Sequence, residues 1–179
     1  MRPMSANAAD GVSRRNLELK APVRDATAAY EAARALGLSN GVELRQVDTY
    51  FRVSHGRLKL RETVGESAEL IFYDRPDVGP ERWSTFWTSP VADPHSARTL
   101  LAAALGIRST VIKRRQLFTW RQCRIHIDEV EGLGAFIEFE VLSSGDEVED
   151  GDRMVALIDA FGVDVGAAVP GSYVDLLGL

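Results

Sequence analysis

Short alternating segments of this chain place charged side chains two residues apart, which puts them on one face of a β-strand. Glu18 and Lys20 occupy such positions in RRNLELKAPV, with Asn16 on the same face. Lys59 and Arg61 occupy them in RLKLRETV. Carboxylate oxygens bind hard divalent cations, whereas lysine and arginine bind phosphate oxygens. Together these residue types predict a site for a polyphosphate and a divalent metal.

The charges are also separated by segment. Acidic and basic positions fall largely in different strands: the carboxylates are Glu18, Asp128, Glu138 and Glu140, and the cations are Lys59, Arg61, Lys113 and Arg115. Like charges side by side on a solvent-facing sheet repel one another, so we favour charged faces that line a shared cavity. The alternative is a barrel or sandwich with its apolar faces inward and its charges in solvent, which explains the same alternation without any site.

The elements that must position these residues are predicted by the same periodicity. Strands are predicted over residues 14–23, 42–53, 57–64, 68–76, 82–91, 109–122, 123–132 and 134–144. Helices are predicted over 25–37, 93–106 and 150–162, with a last helical turn in the tail. Asp25 and Asp93 are the predicted caps of the first two helices. So many strands joined by short turns indicate an α+β fold in which an antiparallel sheet curls or closes and the helices pack outside.

The composition limits the class of protein. A chain of 179 residues, 45% hydrophobic and 26% charged, suits one domain with a real core. We expect a flexible leader over residues 1–13 and a single domain over 14–179. The net charge of −5 argues against nucleic acid as a partner, and one cysteine excludes an intrachain disulfide. The chain has no signal-peptide pattern and no apolar run of about 20 residues, so we expect a cytoplasmic protein without a membrane partner.

An ordered set of motifs gives a family resemblance. The segments RNLELK, DTYF, GRLKLRE, YDRPD and IHIDEVEGLGAFIEFE resemble the CYTH family of triphosphate tunnel metalloenzymes, which includes class IV adenylyl cyclases, thiamine triphosphatases and inorganic triphosphatases. The resemblance runs from about Arg14 to Glu140, and DEVEGLGAFIEFE is its most specific part. It implies an eight-stranded antiparallel tunnel, closed as a barrel, with helices outside. It also implies Mg²⁺ or Mn²⁺ as cofactor, a triphosphate-containing small molecule as partner and a possible homodimer.

The resemblance also implies roles for individual residues. The implied phosphate contacts are Lys20, Lys59, Arg61, Arg75, Lys113 and Arg115, and the implied metal ligands are Glu18, Asp128, Glu138 and Glu140. Glu138 and Glu140 are the principal ligands of this set. The family's acidic signature, E-x-E-x-K, falls on Asn16, Glu18 and Lys20. Asn16 departs from it, and a neutral amide attracts a cation less than a carboxylate does, which weakens the expectation of a second metal.

The catalytic prediction comprises Lys20, Glu18 and His126. His126 shares a strand face with Asp128, so it is suited to contact phosphate or to act as a base. A hydrogen-bonded structural histidine explains the same position equally well.

The predicted function is a metal-dependent phosphohydrolase or cyclase that acts on a nucleoside, thiamine or inorganic triphosphate in a cationic tunnel. Hydrolysis and cyclisation use the same kind of site and differ only in the attacking oxygen, so the sequence does not separate them. Two alternatives remain. One is a non-catalytic nucleotide- or polyphosphate-binding module, and the other is a tunnel recruited for other chemistry on an anionic substrate.

Overall fold

The computed structural model describes residues 14–76 and 81–178, so the predicted leader over 1–13 lies outside the described residues. The strands are β1 (Arg14–Pro22), β2 (Val42–Phe51), β3 (Arg57–Thr63), β4 (Ala68–Asp74), β5 (Glu81–Val91), β6 (Ile107–Trp120), β7 (Cys123–Val130) and β8 (Gly134–Leu142). The helices are α1 (Ala26–Ala35), α2 (Pro94–Leu105), α3 (Glu147–Phe161) and α4 (Tyr173–Leu176), with a 3₁₀ turn at Val165–Ala167. Within the described part of the chain, no helix is long and apolar enough to cross a membrane.

The eight strands form one closed barrel in the order β1-β5-β4-β3-β2-β6-β7-β8. All neighbouring pairs are antiparallel. β1 closes the barrel because it pairs with β5 on one edge and with β8 on the other. A closed sheet leaves no unpaired edge. The predicted α+β fold, an eight-stranded antiparallel barrel with helices outside, is therefore confirmed.

The largest apolar core lies outside the barrel, between the sheet and two helices. Leu19 and Phe139 are fully buried on the outer faces of β1 and β8. They belong to one cluster with Ala33 of α1 and with Met154 and Leu157 of α3. The apolar faces of these strands thus point outward, and the barrel encloses the opposite, charged faces. The alternative interpretation, with apolar faces inward and charges in solvent, is wrong for these strands.

The helix ends follow from local capping. Asp25 and Asp93 cap α1 and α2, as predicted, by accepting backbone N–H bonds. α3 begins at Glu147, earlier than predicted, because Asp146 accepts from the backbone N–H groups of Val148 and Glu149 at 2.9 and 3.2 Å. This cap fixes the start of the helix that covers β1 and β8.

Replacing Asp146 with alanine should lower the free energy of unfolding by about 1 kcal/mol, because two N–H groups of α3 lose their acceptor. Urea denaturation followed by far-ultraviolet circular dichroism measures the change. Asp152→Ala, at an exposed position of the same helix, is the matched control. An equal effect of both substitutions would show that the cap contributes nothing specific.

Candidate functional site

The barrel encloses a polar cavity of about 180 Å³. The sequence-predicted site residues on its wall are Glu18, Lys20, Lys59, Arg61, Arg75, Lys113, Arg115, Glu138 and Glu140. The other two predicted residues, His126 and Asp128, are buried on β7 and contact this wall through Glu138 and Arg115. The structure therefore brings all of the predicted residues into one site. Antiparallel pairing aligns their inward faces, since side chains on neighbouring strands lie side by side.

One side of the cavity is a cluster of three cations around a single carboxylate. Asp48 on β2 accepts from Lys59 at 3.0 Å, from both Nε and Nη2 of Arg61 at 2.8 Å, and from Lys113 at 2.7 Å. Asp48 is 1% exposed. Our prediction missed it, although it lies in the quoted DTYF motif and alternates with Gln46 on the same face. The signal was an acidic side chain on the same face as Gln46 and Tyr50, in a strand that lies between two basic strands.

Within this cluster the pKa of Asp48 and the pKa values of the two lysines are shifted for different reasons. Burial opposes ionisation of Asp48, but Arg61, Lys113 and Lys59 hold its pKa well below the usual range. Burial lowers the pKa of Lys113 to about 7, against the attraction of Asp48 and with the repulsion of Arg61. Burial and Arg61 likewise lower the pKa of Lys59 to about 8. The carboxylate faces three cations, whereas each lysine faces one anion and several cations. Both lysines therefore titrate near neutral pH.

Affinity for a polyphosphate should fall as the pH rises from 7 to 9, since Lys113 and Lys59 lose the protons with which they bind phosphate oxygens. A bound anion favours the charged lysines, so binding in this range should also take up protons. Isothermal titration calorimetry with inorganic triphosphate, in two buffers of different ionisation enthalpy, measures both effects.

The control for this pH dependence is Lys113→Arg, which keeps its charge throughout the range and should show a smaller proton uptake than the natural protein. Titration of the ligand itself is common to both proteins and cancels. Equal proton uptake by the two proteins would contradict the assignment of the titration to Lys113.

The opposite side of the cavity, called the acidic side below, carries the carboxylates Glu18, Glu138 and Glu140 and centres on Glu138. Glu138 Oε1 lies 2.7 Å from the Nζ of Lys20, and its Oε2 accepts from Arg115 at 2.8 Å. The Nδ1 of His126 lies 3.1 Å from the same Oε2 and 3.9 Å from Oε1 of Glu140. Among the described residues, His126, Glu138 and Glu140 form the group that could hold a metal ion, with ligand atoms within 4.8 Å of one another.

The pKa values of Glu138 and Glu18, two carboxyl groups of this side, are shifted in opposite directions. Burial opposes ionisation of Glu138, but Lys20, His126 and Arg115 hold its pKa well below the usual range. The pKa of Glu18, by contrast, is raised by burial and by the neighbouring charges of Glu140 and Glu138, against the attraction of Arg75. Glu18, Glu138 and Glu140 thus lie close enough for their negative charges to repel one another. A divalent ion bound among them would reduce that repulsion.

Two of the predicted metal ligands lie outside the His126–Glu138–Glu140 group. Glu18 is ion-paired with Arg75. Asp128 holds Arg115 by two parallel hydrogen bonds, at 2.7 Å to Nε and 2.6 Å to Nη2. Paired contacts of this kind fix the plane of a guanidinium. Glu18 and Asp128 are therefore placed where they orient the basic side chains of the site.

The C-terminal segment supplies two further residues that the sequence did not reveal. Tyr173 donates its hydroxyl to Asp128 at 2.7 Å, and the Nζ of Lys20 lies 4.0 Å from the centre of its ring. Ser172 contacts Arg75 at 3.0 Å through its hydroxyl. We had predicted a helical turn here, which α4 confirms, but periodicity alone gave no reason to place this turn against the cavity.

A divalent ion fits this cavity. Asn16 lines it, and the side-chain oxygen of this residue is buried and has no hydrogen-bond partner among the described residues. A buried acceptor without a partner is costly and indicates a missing donor or cation. Glu138, Glu140 and His126 add two carboxylates and an imidazole nearby, a donor set that binds divalent metals.

Comparisons with known proteins agree with this architecture. PH1012 from Pyrococcus horikoshii OT3 is similar with a TM-score of 0.81 and 21% identity, over 90% of this chain and 98% of that one. A candidate adenylate cyclase from Vibrio parahaemolyticus is similar with a TM-score of 0.71 and 18% identity, over 92% and 98% of the two chains. HpAC1 from Hippeastrum, a candidate adenylyl cyclase described as having a dominant triphosphatase activity, is similar with a TM-score of 0.62 and 12% identity, over 88% and 91%.

At these identities the structural likeness shows a shared fold. No curated protein sequence matches the chain at a significant level. The CYTH domain profile matches residues 14–170, a range that includes every strand of the barrel. The cavity residues Ser172 and Tyr173 lie just beyond it. On the strength of that match, which spans most of the sequence, the chain belongs to the CYTH domain family.

Proposed function

We propose that this protein is a metal-dependent enzyme that acts on a triphosphate bound inside the barrel, by hydrolysis or by cyclisation. The observation that carries the proposal is the division of one enclosed cavity into a cationic side around Asp48 and an acidic side around Glu138. Membership of the CYTH family supports it, because that family includes triphosphate-processing enzymes.

The basic side chains supply the binding of the phosphate chain. The cations that line the cavity are Arg14, Lys20, Lys59, Arg61, Arg75, Lys113, Arg115 and Arg124. They outnumber the carboxylates that line it or lie directly behind it, which are Glu18, Asp48, Glu69, Asp128, Glu138 and Glu140. A buried cavity wall with an excess of cations stabilises a polyanion, and arginine gives paired contacts to phosphate oxygens. The excess favours a polyphosphate over a neutral or singly charged substrate.

Carboxylates keep the binding side chains in place before a ligand arrives. Asp48 holds Lys59, Arg61 and Lys113 within reach of the cavity, and Asp128 fixes the plane of Arg115. Such preorganisation means that the cations need not be ordered when the ligand binds. Mg²⁺ or Mn²⁺, when bound by Glu138 and Glu140, would neutralise phosphate charge and polarise the phosphoryl group.

Lys20 occupies the boundary between the two sides. Its Nζ contacts Glu138 and lies over the ring of Tyr173, so it is held by a carboxylate and an aromatic face. From there it reaches the same cavity as the metal ligands. We assign to Lys20 the stabilisation of charge on the phosphoryl group that reacts, and to Glu18 the positioning of Arg75.

A second candidate is a binding module without turnover, and Asn16 is the observation that favours it. Asn16 lies on the same face as Glu18 and lines the cavity with a neutral amide. One carboxylate fewer reduces the attraction for a second cation. A module of this kind would bind a nucleotide or polyphosphate and release it unchanged.

A product assay tests the proposal. Purified protein is incubated with ATP, thiamine triphosphate or inorganic triphosphate, each with Mg²⁺, Mn²⁺ or a chelator, and the products are separated by chromatography. Cyclic AMP with pyrophosphate would identify a cyclase, and orthophosphate would identify a phosphohydrolase together with its substrate. Metal-dependent binding without products would support the binding module. Absence of both binding and products with all three compounds would overturn the proposal.

A further inference from the structure

One nitrogen of His126 faces both carboxylates of the candidate metal group. Nδ1 lies 3.1 Å from Oε2 of Glu138 and 3.9 Å from Oε1 of Glu140. In an octahedral shell with bonds of about 2.1 Å, adjacent ligand atoms lie about 3.0 Å apart and opposite ones about 4.2 Å apart. Both distances fall within this range. His126 therefore lies at ligand spacing from each carboxylate, and the ligand atoms of all three side chains lie within 4.8 Å of one another.

The strand pairing holds His126 in this position. Its backbone pairs with Glu138 on one side and with Leu117 on the other, so its side chain lies on the enclosed face of β7. It is 2% exposed and contacts Glu138, which lines the cavity. A second observation points to a ligand in the same cavity: Asn16 lines it, and the buried side-chain oxygen of this residue has no hydrogen-bond partner among the described residues.

The type of ligand decides which metal is preferred. Mg²⁺ favours carboxylate oxygens and water, whereas imidazole nitrogen suits transition metals. A set of two carboxylates and one imidazole is thus better matched to Mn²⁺, Co²⁺ or Zn²⁺ than to Mg²⁺. This match rests on chemical type and does not depend on the reaction catalysed.

We propose that His126 binds the divalent ion directly, with Glu138 and Glu140, and that it gives the site a preference for Mn²⁺ over Mg²⁺. The inference rests on the proposed function, because it concerns the metal of the same cavity. It adds a nitrogen ligand to a site predicted from carboxylates alone. The competing role for His126 is positional: it would donate a hydrogen bond to Glu138 and leave the metal to oxygen ligands.

Pulsed electron paramagnetic resonance of bound Mn²⁺ separates the two roles, because only a directly bound imidazole gives a strong nitrogen coupling. The protein is used without a histidine tag. His126 is one of three histidines in the chain, and the exposed His55 and His95 are the others. A variant with both His55→Gln and His95→Gln is the matched control and should keep the coupling. Bound Mn²⁺ without nitrogen coupling in the natural protein would overturn the inference.

Calorimetry gives a second, independent readout. His126→Gln should weaken Mn²⁺ binding at least about tenfold and Mg²⁺ binding much less, so that the preference between the metals falls. Equal weakening of both metals would assign His126 to positioning and overturn the inference. If the variant does not fold, the resonance measurement on the natural protein still decides.

The outcomes also separate this inference from the proposed function. Nitrogen-coupled Mn²⁺ in a protein that processes no triphosphate would support the metal ligand and count against the enzyme. Turnover in the presence of Mn²⁺, with no nitrogen coupling to the bound ion, would support the enzyme and overturn the metal ligand. A natural protein that binds no Mn²⁺ overturns the role of His126 directly.

Discussion

Replacing Glu138 with glutamine should reduce metal-dependent turnover of a triphosphate at least about 100-fold. Glu138 contacts Lys20, Arg115 and His126, so it joins the basic and acidic sides of the cavity. An amide keeps the shape of the side chain but removes the charge that attracts a metal and holds two cations. The same substitution should abolish the increase in melting temperature caused by Mn²⁺, since a ligand that binds only the folded state stabilises it.

Steady-state kinetics with Mg²⁺ and with Mn²⁺, and thermal denaturation with and without metal, measure these effects. Glu129→Gln is the matched control, because it removes an exposed carboxylate from the neighbouring strand that pairs with Arg114. Circular dichroism shows whether Glu138→Gln remains folded. Turnover within about threefold of the natural protein, a change below 1 kcal/mol in barrier height, would exclude Glu138 from the metal site.

Replacing Asp48 with asparagine should be the most destabilising single change in the cavity, with a loss of about 3–5 kcal/mol in the free energy of unfolding. Asp48 is buried, and it is the carboxylate that contacts Lys59, Arg61 and Lys113. Without its charge, three neighbouring cations remain buried and repel one another. Urea denaturation at pH 7 measures the loss, with Glu129→Gln again as the control.

Inorganic triphosphate should restore part of this stability, because phosphate oxygens can replace the lost carboxylate among the same three cations. Raising the pH should also reduce the loss. Burial lowers the pKa of both lysines and Asp48 opposes that shift, so without the charge of Asp48 they should lose their protons at a lower pH. The unfolded chain then holds more protons than the folded variant, so the stability of the variant rises with pH and part of the loss is recovered. A loss unaffected by both triphosphate and pH would show that repulsion among these cations is not its cause.

Much of the fold could be predicted from the sequence because strand alternation is a local property. A period of two residues defines two faces on each strand, whatever the strand packs against. It therefore predicted the strands that form the barrel and grouped Glu18 with Lys20, Lys59 with Arg61, and Glu138 with Glu140. The helix caps were equally local, since Asp25 and Asp93 bond to N–H groups within three residues.

Alternation by itself does not say which face is enclosed, and here tertiary structure decided. The apolar faces of β1, β7 and β8 are covered by α1 and α3, so the charged faces must point into the closed barrel. The same alternation would also fit a sheet with its charged face in solvent. Because the charged faces are enclosed here, they form a buried site whose side chains have shifted pKa values.

The partners inside the site were likewise set by closure of the barrel. Arg75 meets Glu18 from a distant part of the chain, and Tyr173 reaches Asp128 from beyond the barrel strands. Asp48 was present in the sequence as one acid among many, and only the pairing of β2 with β3 and β6 gave it three cations. The sequence by itself determined which charges share a face. The closure of the sheet decided which of them meet, because contacts between distant strands depend on register and curvature that no local pattern contains.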